Sequence, residues 1–187
     1  MTKPKRKLAA IVFTDIVGFT ELSAKNEPAA LELLNKQRDI LKPIVKNHEG
    51  EWLKEIGDGL LLTFNTNIEA VLCSIAIQEA AKSITELDLR IGIHQGEVVF
   101  HGDDVVGDDV NIASRIEPFS SSGGIAISGR VNASLERDPE FETTFIGKPA
   151  LKGVFQEIKV YCITSHGLPM AGMVPIDEKL ETVRTSF

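Results

Sequence analysis

The sequence predicts an α+β domain: a ferredoxin-like βαββαβ core with additional C-terminal strands and helices. Two observations carry this. Strand-length apolar runs alternate with helix-length amphipathic segments in the order β-α-β-β-α-β through Phe100. The two middle strands are joined by Gly57-Asp58-Gly59, a tight-hairpin signal. Length agrees, because 187 residues suit one domain plus a tail. A chain of this size buries roughly 70% of its unfolded surface on folding and needs no disulfide or metal staple.

Residues 8–14 form the first strand, an apolar and partly β-branched run suited to burial on both faces. A loop carrying Gly18 follows. A helix spans about residues 27–47, with Pro28 in its first turn and Gly50 just past its end. Its apolar positions Ala30, Leu33, Leu34, Ile40, Leu41, Ile44 and Val45 recur at three and four residues and make one core-facing stripe. Pro43 inside it predicts a kink or a break. Residues 51–56 and 60–64 are the hairpin strands, and 68–82 a helix apolar around most of its circumference. Residues 88–100 make a long strand, with Leu89, Ile91 and Ile93 on one face. A Gly/Asp-rich arm, 101–109, leads into a helix at 110–117 that Pro118 stops. A strand at 125–128, a short helix at 131–137 and strands near 142–146 and 157–164 complete the domain, 8–165. Residues 1–7 read as a basic flank. Residues 166–187, punctuated by Gly and Pro, read as a tail or linker to a possible C-terminal regulatory domain.

Composition excludes several classes. Twenty Lys and Arg against 27 Asp and Glu leave a net charge of −7, which disfavours nucleic acid as the main ligand. Cys73 and Cys162 lie far apart in apolar runs and read as buried thiols of a reducing compartment. No uncharged apolar stretch approaches the roughly 18 residues that span a bilayer. The apolar run after Lys7 is broken at Asp15, so no signal peptide is expected. These features predict a cytoplasmic chain with no membrane or nucleic-acid partner. His48, His94, His101 and His166 are not spaced as a metal cluster, and His94, in a strand, reads as structural.

The chemistry concentrates on two carboxylates. Asp15 ends the first strand and Asp58 sits in the hairpin beside it, so in the split βαββαβ arrangement both reach one point. Alone, either Asp would be a turn-former or a cap. Together they suit a hard divalent cation, which takes one or two carboxylates plus substrate phosphates. That is the equipment of metal-assisted phosphoryl or nucleotidyl transfer.

The surrounding strings carry a resemblance. Phe13-Thr14-Asp15-Ile16-Val17-Gly18-Phe19-Thr20 and Lys54-Glu55-Ile56-Gly57-Asp58-Gly59 resemble the two metal motifs of class III nucleotidyl cyclases. Gly92-Ile93-His94-Gln95-Gly96-Glu97-Val98 resembles the family's next strand. Gly107-Asp108-Asp109-Val110-Asn111-Ile112-Ala113-Ser114-Arg115-Ile116 resembles its Asn/Arg helix. Four blocks in the family's order cover nearly the whole domain. The Gly-Gly-Asp/Glu-Glu-Phe hairpin of diguanylate cyclases is absent, and the acidic charge argues against a polymerase.

The resemblance implies an adenylate cyclase with two divalent metal ions, Mg²⁺ or Mn²⁺, held by Asp15, Asp58 and the Ile16 carbonyl. It gives Gly18, Phe19 and Thr20 to the triphosphate, Asn111 to the ribose and Arg115 to the α-phosphate. Asn111 and Arg115 are four apart and share a helix face. The base selectors fall on Lys54 and Asp104, with Asp103 as the neighbouring alternative. Lysine only donates and ionised aspartate only accepts, which matches N1 and the N6 amino group of adenine and hence ATP. Guanine needs the opposite pair, for which guanylate cyclases use Glu with Cys or a small polar residue. Lys152, or else Lys148, resembles a late phosphate-contacting lysine. Lys54 and Asp58 stand roughly 13 Å apart along an extended strand, which does not say whether they serve one nucleotide. The family places the metal aspartates of one subunit against the selectors and Asn/Arg pair of the other, implying a homodimer with two composite sites. The rival expectation is a catalytically silent nucleotide-binding or dimerisation module, in which one of these groups would be missing.

Overall fold

The computed structural model describes residues 3–171. The elements run β1 (Lys5–Ile16), α1 (Phe19–Lys25), α2 (Glu27–Asn47), β2 (Glu51–Ile56), β3 (Gly59–Phe64), α3 (Asn67–Ala81), β4 (Leu89–His101), β5 (Asp104–Val106), α4 (Asp108–Ile116), β6 (Ile125–Ser128), α5 (Gly129–Leu135), β7 (Thr143–Gly147) and β8 (Val160–Ile163). They build one mixed sheet in the order β2-β3-β1-β4-β6-β8-β7, with β5 paired to β4. The first four positions are the predicted ferredoxin-like arrangement: β1 lies antiparallel between β3 and β4, and β6 adds in parallel to β4.

Alternation along β1 divides the core. Ala10 and Val12 face the cluster built with Leu33, Leu41, Val71 and Ile77 of α2 and α3. Ala9 and Ile11 face the opposite side, where Leu61, Val98, Val110 and Ala113 bring in α4. A third cluster joins the end of α4 to β6 and β8. Local chemistry sets the helix starts: Asn26 accepts the Ala29 N–H at 3.2 Å and Thr66 the Glu69 N–H at 3.1 Å.

Several expectations change. Lys5, Arg6 and Lys7 are not a flank but the start of β1, paired with Phe100, Val99 and Val98. Their charge is met by Glu97 at 2.6 Å from Arg6 and Glu51 at 3.5 Å from Lys7. The helix α2 runs through Pro43 without ending. The loop after Gly18 becomes α1, and the arm contains β5. Leu168 and Ala171 are buried, so the chain still packs on the domain past residue 165. The rest of the predicted tail, 172–187, lies outside the described residues.

Candidate active site

The odd residues of β1 and the even residues of β4 share the α4 side of the sheet. Asp15 therefore follows Ile11 and Phe13 onto that side, and its register partner is Arg90. Asp58 comes up from the β2–β3 turn, where its Oδ2 accepts the Ile16 N–H at 2.8 Å. The side-chain amide of Gln37 reaches the Asp58 carbonyl at 3.4 Å and ties the turn to α2. The two predicted carboxylates thus converge.

Their electrostatics suit a cation. Asp15 Oδ1 is buried and lacks a hydrogen-bond partner. Burial pushes Asp58 above the usual carboxylate range, and the neighbouring Asp15 adds to the shift. Two crowded carboxylates, one with an orphaned oxygen, form a hard-oxygen donor set of the kind Mg²⁺ and Mn²⁺ accept. Among the described residues no group of three His, Cys, Asp or Glu side chains is placed to hold an ion by itself.

Lys54 reaches the same side through an irregularity in β2. Pairing with β3 steps from Trp52↔Leu62 to Lys54↔Leu61, leaving Leu53 as an extra residue. Trp52 packs against the α2–α3 cluster and Leu53 against the α4 side. Strict alternation would return Lys54 to the side of Trp52; the bulge instead sets it on the α4 side, over the cavity. There Lys54 Nζ meets Asp104 Oδ1 of β5 at 3.2 Å. Asp104 also accepts the Val105 N–H at 2.9 Å, and its contact with Lys54 holds it below the usual carboxylate range.

A cavity of about 830 Å³ is lined by Asp15, Lys54, Asp58, Arg90, Asn111 and Glu117, among others. Asn111, exposed, and Arg115, half-buried, lie one turn apart on α4, and Arg115 Nη1 donates to the Asn111 carbonyl at 3.3 Å. Of the predicted residues, Gly18 and Phe19 border a separate cavity of about 270 Å³ beyond Ile16. Thr20, Asp103, Asp104, Arg115, Lys148 and Lys152 line neither cavity. Lys148 is paired with Glu157 at 3.3 Å.

Two lining residues escaped the sequence reading. Arg90 places a guanidinium across from Asp15, where it can meet phosphate oxygens. Glu117 follows α4 in a 3-10 turn and is buried; burial and the nearby Asp15 carboxylate raise it well above the carboxylate range. The signal for Arg90 was its parity with Gly92 and His94 on one strand, which is readable only once the β1–β4 register is known.

Comparison with known proteins adds an independent line. A family model described as the adenylate and guanylate cyclase catalytic domain matches residues 1–165. An adenylate cyclase of Mycobacterium bovis is 30% identical over 152 residues, covering 70% of this chain and 34% of its own length. The receptor-type guanylate cyclase gcy-6 of Caenorhabditis elegans is 30% identical over 169 residues, covering 78% of this chain and 16% of the relative. The crystal structure of the adenylyl cyclase CyaB from P. aeruginosa superposes with a TM-score of 0.76 at 28% identity, covering 88% of this chain and 97% of that one. The chain spans between 15% and 41% of the length of such full-length relatives. No helix among the described residues is long and apolar enough to cross a membrane.

Proposed function

The chain belongs to the adenylate and guanylate cyclase catalytic domain family, and on that premise we propose that it converts ATP to 3′,5′-cyclic AMP and pyrophosphate. Relatives of both substrate types match it, so the base has to be read from the side chains. The observation that carries the choice is the Lys54–Asp104 pair at 3.2 Å, with Lys54 in the cavity wall. It sets a donor beside an acceptor, complementary to the N1 and N6 edge of adenine.

Asp15, Asp58 and the Ile16 carbonyl would hold two divalent ions, Mg²⁺ or Mn²⁺. When bound, such ions make the ribose 3′-OH easier to deprotonate and offset charge on the triphosphate. The 3′-oxygen attacks the α-phosphorus in line while the bond to the pyrophosphate oxygen breaks, and the hydroxyl proton passes to solvent water. Asn111 orients the ribose. Arg115, always charged and able to grip two oxygens, stabilises the charge that builds on the α-phosphate. Arg90 lies close enough to Asp15 to meet the departing phosphates.

Assembly follows the family resemblance. The cavity of one chain is lined by both aspartates, Lys54 and Asn111, while Asp104, Arg115, Lys152 and Thr20 lie outside its lining. A two-fold partner would bring its own Lys54, Asp104, Asn111 and Arg115 to the first chain's metal aspartates, giving two equivalent composite sites. The Gly18-Phe19-Thr20 loop and Lys152 would serve the phosphates within that assembly. A cytoplasmic setting and a C-terminal regulatory domain remain part of this reading.

Product formation from ATP and from GTP, with Mg²⁺ or Mn²⁺ across a protein concentration series, tests it. ATP turnover rising faster than linearly with protein supports both the base reading and the composite site. Preference for GTP would refute the role of Lys54 and Asp104. Absence of product from either nucleotide, where sedimentation shows a dimer, would leave a nucleotide-binding or dimerisation module.

A further inference from the structure

The helix bearing Asn111 and Arg115 is only nine residues long, too short to hold its shape without outside contacts. Its N-cap is Gly107, which supplies no side-chain cap. The anchoring falls to Asp109 in the first turn. Its Oδ2 accepts the Glu97 N–H of β4 at 2.8 Å, and its Oδ1 lies 3.0 Å from His94 Nε2 and 3.5 Å from Arg130 Nη1. The ring of His94 is 1% exposed, and its Nδ1 lies 2.8 Å from Ser128 Oγ. A carboxylate only accepts, so Nε2 carries the proton and Nδ1 accepts from the Ser128 hydroxyl.

The strand beneath is cut to fit. A Cβ at Gly96 would overlap the Asp109 carboxylate, and one at Gly92 would overlap the Glu117 backbone at the far end of the helix. Four strand residues separate these glycines, about 13 Å. Eight helical residues separate Asp109 from Glu117, about 12 Å. The helix therefore lies antiparallel along β4 with a glycine under each end and His94 between them.

We propose that Asp109, gripped by His94 and the Glu97 N–H, is a positioning residue that fixes α4 along β4 and thereby places Asn111 and Arg115. This rests on the cyclase reading for the roles of those two residues, while the anchoring itself does not. Neither His94 nor Asp109 touches the cavity that would hold the nucleotide.

Asp109→Ala and Asp109→Asn test this by steady-state kinetics with ATP and by hydrogen exchange of the whole chain. A displacement near 1 Å costs roughly 10²-fold in rate, so Asp109→Ala should lower kcat by about that factor with KM within about twofold. Asp109→Asn keeps an acceptor for the Glu97 N–H and should recover about tenfold of the loss. Amides of Val110 to Ile116 should exchange at least about tenfold faster in Asp109→Ala, with β1 and α3 unchanged. Unchanged exchange in α4, faster exchange throughout the chain, or kcat within about twofold of wild type would overturn the proposal. If the wild-type chain makes no cyclic nucleotide, the cyclase reading falls, and exchange alone upholds or overturns the anchor.

Discussion

Replacing Gly92 by Ala probes the far seat of α4. The added Cβ would stand 2.9 Å from Glu117 Cβ and nearer still to the Glu117 N and Cα atoms. Carbon atoms prefer about 3.5–4.0 Å, so the chain after Ile116 must lift by about 1 Å. The obstacle is backbone and cannot swing aside as a flexible side chain would. Arg115 lies two residues upstream and is carried with it. A shift of that size costs roughly 10²-fold in kcat. Overpacking itself costs about 1–3 kcal/mol, which lowers Tm by about 2–12 °C in a domain of this size. The assay is chromatographic measurement of cyclic AMP at saturating ATP and Mn²⁺, beside a thermal melt. Gly129→Ala is the control, because its Cβ would meet neighbours only at 3.5 Å and beyond. A folded Gly92→Ala enzyme with kcat within about threefold of wild type would refute the seating argument.

Asp58→Asn keeps an oxygen for the Ile16 N–H but removes a charged metal ligand, so calorimetry should show Mn²⁺ affinity lowered by at least about tenfold with little change in the melt. The double change Lys54→Glu with Asp104→Cys inverts donor and acceptor; the ratio of kcat/KM for GTP over ATP should rise by about 10²-fold or more. Burial holds His94 below its ordinary 6.5, so the unfolded chain takes up that proton first. Stability from this site is then full above 6.5 and falls as pH drops from there toward the lower folded-state pKa. Melts between about pH 7.5 and 5 should fall more steeply for wild type than for His94→Gln, and equal slopes would contradict the assignment.

Much of this was legible in the chain, for reasons that can be named. Buried strands announce themselves by apolar runs, and the 57–59 turn by its two glycines, so the βαββαβ order and the meeting of Asp15 with Asp58 followed from pattern alone. Elements too short for periodicity did not show. The three residues of β5 are strand because β4 overhangs with free pairing groups at Val99, Phe100 and His101. The seven residues of α1 pack Phe19 and Leu22 against the core that α2 helps to build. Pro43 does not break α2: Leu41, Ile44 and Val45 pack on both sides of it, and that burial outweighs the lost hydrogen bond. Arg90 and Glu117 were invisible as site residues because their relevance lies in register and in a close approach over Gly92, which no local spacing encodes.

The extra residue in β2 has a consequence for how base preference is inherited. Side chains on a strand obey parity, and Leu53 is the one insertion that changes the parity of Lys54 relative to Trp52. Were Leu53 kept but made to alternate regularly, Lys54 would turn toward α2 and α3 while every catalytic and metal-binding group in the chain is retained. The base contact therefore depends on the backbone shape of β2 as well as on the selector itself. A homologue that keeps both residues but not the bulge would preserve the letters and lose the contact.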